Sequence, residues 1–311
     1  MRHLVFLPVL LCAGTVSAAA SVDDGLLSLV PAGAKIIGSV DVTRARNSEF
    51  GQYLLGKAQS DDAHFQEMID QTGFDPRRDL QSIIFETSAQ AAEGRPSSFA
   101  ILARGNFDPS RIRTLAKAHG AIVESYGGVD IIVHAKGKEQ QTAVGFPEVG
   151  VAVMADLSTL KQIIDNRSSP TVLDPELKNK IGSVGTSDAW YVSLAGGSFL
   201  TDLAGPQSGQ QAKVLQGVLQ SSGGVVLGST IETTFDAITR SAQDATSLSD
   251  VIRFLASMVQ MQRQKNPQAS ILASALDGMT LQNSGSAVHF AVSMPEKSLE
   301  QLAEVGHPSV H

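Results

Sequence analysis

Residues 121–126 and 129–134 are two β-type runs with nothing between them but Gly127-Gly128. A loop that short joins antiparallel neighbours, because both of its residues need positive φ and glycine adopts it without steric cost. Further β-type runs lie at 36–42, 83–85, 99–103, 149–154 and 189–194, with a long, edge-like one at 225–235. A second hairpin, 279–281 with 287–292, folds around Asn283-Ser284-Gly285-Ser286. Helical periodicity marks 23–29, 48–71, 109–119, the segment after Asp156, then 213–219, 249–265 and a closing segment from Pro295. Strands joined by hairpins, with helices set apart from them, predict an α+β fold with largely antiparallel sheets.

Phe-Asp-Pro occurs twice, at 74–76 and 107–109. In each, the aspartate is placed to cap free backbone N–H groups and the proline to occupy the first helical position, where no donor is missed. Asp156 is a third such cap, and Pro267 is expected to stop the 249–265 helix. The polar stretch 167–186 reads as a loop. With that boundary the chain divides into a leader at 1–20, an α+β domain or half at 21–168, a connecting segment at 169–186 and a second half at 187–305. Each half offers a leading strand, helices, strand pairs and a closing helix, which is the layout of a divergent duplication.

The leader has three parts: cationic Met1-Arg2-His3, an apolar run over 4–14, and the small residues Ser17-Ala18-Ala19-Ala20. This is the pattern of a secretory signal peptide, and cleavage is expected after Ala18 or Ala20. The apolar run falls well short of the roughly twenty residues that span a bilayer as a helix. An extracytoplasmic protein, periplasmic or secreted, without a transmembrane segment in the mature chain is therefore expected. Bulky Leu10 and Leu11 before Cys12 argue against lipidation. Cys12 is the only cysteine, so cleavage leaves no disulfide, no thiol nucleophile and no thiolate metal ligand. Stability then rests on core burial, which about 290 residues can supply.

The formal charge is -7 with no basic block, which disfavours nucleic acid as a partner. Aromatics are 5% of the chain, too few for a broad stacking platform for sugars or bases. No Gly-x-Ser-x-Gly elbow, His-Glu-x-x-His pair, Walker loop or Gly-x-Gly-x-x-Gly fingerprint is present, and no metal site or cofactor is predicted. Ser158-Thr159-Leu160-Lys161 fits Ser-x-x-Lys, in which a lysine one turn on activates a serine at a helix start. Ser158 and Lys161 are therefore the catalytic candidates, although the companion Lys-Thr-Gly is missing. Arg77 and Arg78 are candidate anion-binding residues at a helix start, although a solvated charge cluster explains them as well. His134 and His289 fall in strands, where a solvent-facing or hydrogen-bonded histidine is expected instead of a ligand. Met258 and Met261 read as core filler on the 249–265 helix.

The segments Gly73-Phe74-Asp75-Pro76-Arg77-Arg78-Asp79-Leu80 and Tyr126-Gly127-Gly128, with the closing Pro295-Glu296 helix start, resemble exported bacterial proteins of unknown function. The likeness spans most of the mature chain and implies an extracytoplasmic location and a mixed α+β fold, with no catalytic motif. The resulting expectation is a non-enzymatic binding or interaction protein of the bacterial envelope, its partner an envelope protein or a small ligand. The alternative is an extracytoplasmic hydrolase working through Ser158 and Lys161.

Overall fold

The computed structural model describes residues 22–57, 63–88, 98–133, 142–197, 200–201 and 213–306. Twelve antiparallel strands form one continuous sheet. The first half contributes β1 (Ile36–Asp41), β2 (Leu80–Thr87), β3 (Phe99–Gly105), β4 (Ile122–Tyr126), β5 (Val129–Val133), β6 (Thr142–Glu148) and β7 (Val151–Asp156). The second contributes β8 (Ala189–Ser193), β9 (Val218–Val226), β10 (Thr230–Thr239), β11 (Thr280–Ser284) and β12 (Ala287–Pro295). The spatial order is β11-β12-β10-β9-β8-β1-β2-β3-β7-β6-β5-β4, so the leading strands of the two halves pair at the centre.

Outward from that seam, β8-β9-β10-β12-β11 repeats the order β1-β2-β3-β7-β6. The β4–β5 hairpin has no counterpart in that order on the β8 side among the described residues. Gly127 and Gly128 make its turn at φ 55° and 76°, and Tyr126 pairs directly with Val129.

Side chains alternate between the faces of the sheet. On one face Ile37, Ile84, Leu102 and Val153 pack under α1 (Asp24–Leu27), α7 (Leu157–Asn166) and α8 (Pro175–Val184), whose Leu26, Leu160, Ile163 and Ile181 complete the larger core. The smaller core lies on the opposite face of the second half. There Ala237 and Val288 meet Ala245 and Leu248 of α9 (Ala242–Met261). Gly38 leaves room for an aromatic to lie across β1, since a Cβ there would stand 2.1 Å from the Phe85 ring.

The remaining helices are α2 (Val42–Asn47), α3 (Glu49–Lys57), α4 (Ala63–Thr72), α5 (Pro76–Asp79), α6 (Pro109–Ala118), α10 (Pro267–Leu276) and α11 (Glu296–Gly306). Both Phe-Asp-Pro aspartates cap as expected, Asp75 accepting from Arg77 N–H and Asp108 from Arg111 N–H.

Several segments differ from the sequence reading. The connecting segment holds α8, because Asp174-Pro175 is a third Asp-Pro helix start and the helix buries Leu177, Ile181 and Val184. The run 225–235 is two strands, β9 and β10, with Gly228 and Ser229 between them, and β9 begins at Val218 where helix was expected. Both are interior strands; the edges of the sheet are β4 and β11. β6 had no counterpart in the reading. Pro267 opens α10 behind the cap Asn266, and does more than end α9. Met258 and Met261 are exposed, because α9 turns its small residues Ala245 and Ala256 to the protein. His134 and the loop 89–97 lie outside the described residues. No helix among the described residues is long and apolar enough to cross a membrane.

Candidate functional site

The central strands open a cleft of about 310 Å³ over the C-terminal end of β1. Strand periodicity and register build its floor. Ser39 and Asp41, two apart on β1, project to the α1 side of the sheet beside Ile37. Asp41 pairs with Ser82 of β2 and Ser82 with Arg104 of β3, which gives one polar row across three strands. In the next row Ser39 pairs with Trp190 of β8, the only tryptophan in the chain. Asp23, the cap of α1, closes one wall, and Gly185 and Ser187 beyond α8 close the other. Both halves of the chain therefore contribute to the cleft.

Its charges are unequally satisfied. Arg104 holds Asp23 through both guanidinium nitrogens that face it, with Nη2 2.9 Å from Oδ1. Burial alone would push the Asp23 carboxyl up. Hydrogen bonds from Arg104, from the Leu26 N–H and from the Ser82 hydroxyl outweigh it and hold the group below the ordinary carboxylate range. Asp41 accepts only the Arg44 N–H at 2.9 Å among the described residues, as the cap of α2. Behind it, Arg44 pairs with buried Asp188 at 2.8 Å.

Ser39 and Trp190 are each only 6% exposed. Among the described residues, neither the Ser39 hydroxyl nor the Trp190 indole N–H has a hydrogen-bond partner. Neither atom is fully buried, so both polar groups open onto the cleft with no protein partner among the described residues and are available to a polar ligand.

A second polar centre surrounds the predicted serine. Asp156 accepts from the Ser158 hydroxyl at 2.6 Å and from the Thr159 N–H and hydroxyl at 2.9 and 2.7 Å. Burial would raise the Asp156 carboxyl, and these bonds reverse that and keep it ionised. Glu86 lies on the α1 face of β2, 2% exposed, and neither carboxyl oxygen has a hydrogen-bond partner among the described residues. Burial, reinforced by the charge of Asp156, pushes it up to about 7.

Ser158 thus donates its hydroxyl hydrogen bond to the Asp156 carboxylate. Lys161 stands 5.3 Å over the Tyr126 ring, and no hydrogen bond joins it to Ser158 among the described residues. Arg77 and Arg78 adjoin at the surface, but each guanidinium is already matched to a carboxylate. Arg77 bonds Asp75 at 2.9 Å through Nε and Nη2, and Arg78 bonds Asp79 at 2.8 and 2.7 Å. His289 is hydrogen-bonded to Asp236 at 2.8 Å, as a strand histidine was expected to be.

No family model, curated protein or solved structure matches the chain.

Sequence reasoning misses Ser39, Asp41, Trp190 and Glu86. A signal was available: each is polar, or carries a polar handle, at an inward position of an otherwise apolar strand.

Proposed function

We propose that this chain is an exported, non-enzymatic binding protein of the bacterial envelope, whose ligand occupies the cleft where its two halves meet. The observation that carries the reading is the pair Ser39 and Trp190, paired on neighbouring central strands, whose polar atoms open onto the cleft without a hydrogen-bond partner among the described residues. A polar ligand supplies the bonds they lack and stabilises the folded state by the same contacts. The cleft, about 310 Å³, is at the small end of ligand sites. Lys161, held over Tyr126 and not bonded to Ser158 among the described residues, and Asp156, held below the ordinary carboxylate range and so a poor base, support binding over hydrolysis.

Trp190 makes the test direct, since its emission reports the cleft alone. Titration of the full chain with a low-molecular-mass periplasmic extract should change that emission saturably, and Ser39→Leu, which fills the cleft, should abolish the response. An unchanged emission would refute the proposal. Consumption of an extract component, lost on Ser158→Ala, would make the chain the alternative hydrolase. Export is read by N-terminal sequencing of the protein recovered from the envelope, whose first residue should be Ala19 or Ser21. A recovered chain that still begins at Met1 would refute it.

A further inference from the structure

The lining of the cleft is specific enough to name a ligand class, on the reading that the cleft is the binding site. Three charged side chains line it, Asp23, Asp41 and Arg104. Two of them cancel: the Arg104 guanidinium and the Asp23 carboxylate are joined by two hydrogen bonds, and Ser82 occupies Asp23 further at 3.0 Å. That leaves Asp41 as the charge available to a ligand. Its one bond among the described residues, from the Arg44 backbone, uses Oδ1 and leaves Oδ2 open.

The neighbouring row supplies complementary groups. The Trp190 indole is a donor only, so it requires an acceptor on the ligand, whereas the Ser39 and Ser187 hydroxyls serve either way. A ligand that satisfies all of them carries a positive nitrogen for Asp41, an oxygen for Trp190 and further hydroxyls. An anion would face Asp41 with Arg104 already occupied. A purely apolar molecule would leave the indole N–H and the serine hydroxyls buried and unpaired, which is costly.

We infer that the seam cleft binds a small, hydroxylated organic ammonium compound of amino-sugar size, its ammonium on Asp41 and a hydroxyl or ether oxygen on the Trp190 N–H. Asp41→Asn tests the charge with little else changed, because asparagine is an equally good helix cap and preserves α2.

The experiment titrates the full chain with glucosamine, glucose and glucuronate, following Trp190 emission with calorimetry as a second readout. The expected result is saturable glucosamine binding, glucose weaker by about tenfold or more, as loss of one charge-assisted hydrogen bond implies, and no response to glucuronate. Asp41→Asn should bring glucosamine down to the level of glucose. The comparison of glucosamine with glucose on the unaltered protein stands even if that variant folds poorly. Equal binding of glucosamine and glucose would overturn the ammonium assignment and leave the cleft as a binding site. So would a response to periplasmic extract without one to glucosamine. Silence toward both extract and glucosamine would overturn the cleft reading as well.

Discussion

Glu86 makes the stability of this protein fall as pH rises through the neutral range, and the size of the fall follows from its burial. In the unfolded chain its carboxyl titrates at its ordinary 4.5, and in the folded chain at about 7. The folded state therefore holds a proton that the unfolded state releases. Below the unfolded value both states are protonated and nothing is lost. From there stability declines until the folded carboxyl ionises, after which the loss is complete. The difference of about 2.5 pH units, at about 1.4 kcal/mol each, amounts to about 3 to 4 kcal/mol, most of it between about pH 5 and pH 8. Asp156 has the opposite sign, but its loss comes as pH falls, below this window. Glu296, raised by burial and by the neighbouring Glu300 and Glu49, adds to the decline in the same direction.

Glu86→Gln isolates the effect, because glutamine keeps the shape and removes the titration. Urea unfolding of both proteins, followed by Trp190 emission, gives the stability difference at each pH. The variant should gain on the parent by about 2 to 3 kcal/mol between about pH 5 and pH 8, whatever fixed cost the buried amide adds. A difference independent of pH would refute the reasoning, since it would mean that Glu86 titrates alike in the folded and unfolded chains.

Asp156→Asn retains the cap of α7 but removes the charge beside Glu86, so the pH-dependent decline should shrink and be complete at a lower pH; an unchanged profile would show that burial alone sets Glu86. Gly38→Ala drives a methyl into the Phe85 ring, and thermal unfolding should show a loss of about 1–3 kcal/mol. Combining it with Phe85→Ala should cost less than the sum of the two, and strict additivity would contradict the contact. A serine-directed covalent probe should leave Ser158 unmodified, as mass spectrometry of the labelled chain would establish, because its partner Asp156 is held below the ordinary carboxylate range and is a poor base.

Local signals in the sequence reported the local structure well. Gly127-Gly128 marked one hairpin through its backbone freedom, and Asp75, Asp108 and Asp156 marked helix starts through a capping chemistry that acts within four residues. What failed was whatever depended on partners distant in the chain. The apolar run 225–235 continues across Gly228-Ser229 with no charged break, so two interior strands read as one. α8 looked like loop because only Leu177, Ile181 and Val184 face the core and the rest of its surface is polar. Met258 and Met261 fit a buried helical stripe, yet α9 packs through Ala245, Leu248 and Ala256, where close approach favours small side chains.

The cleft was illegible for the same reason. Ser39 and Trp190 lie far apart in the chain and become neighbours only because β1 pairs with β8. Nothing in either segment states that register. Likewise Glu86 reads as the polar end of a strand until the fold buries it and brings Asp156 near.

Native mass spectrometry of the protein recovered without denaturation from the envelope of the cells that make it tests the cleft as a ligand site most directly. A fraction of the chain should carry one small bound molecule, and that mass increment should be lost in Ser39→Leu. The same bound mass in Ser39→Leu, or a bare chain throughout, would contradict the assignment.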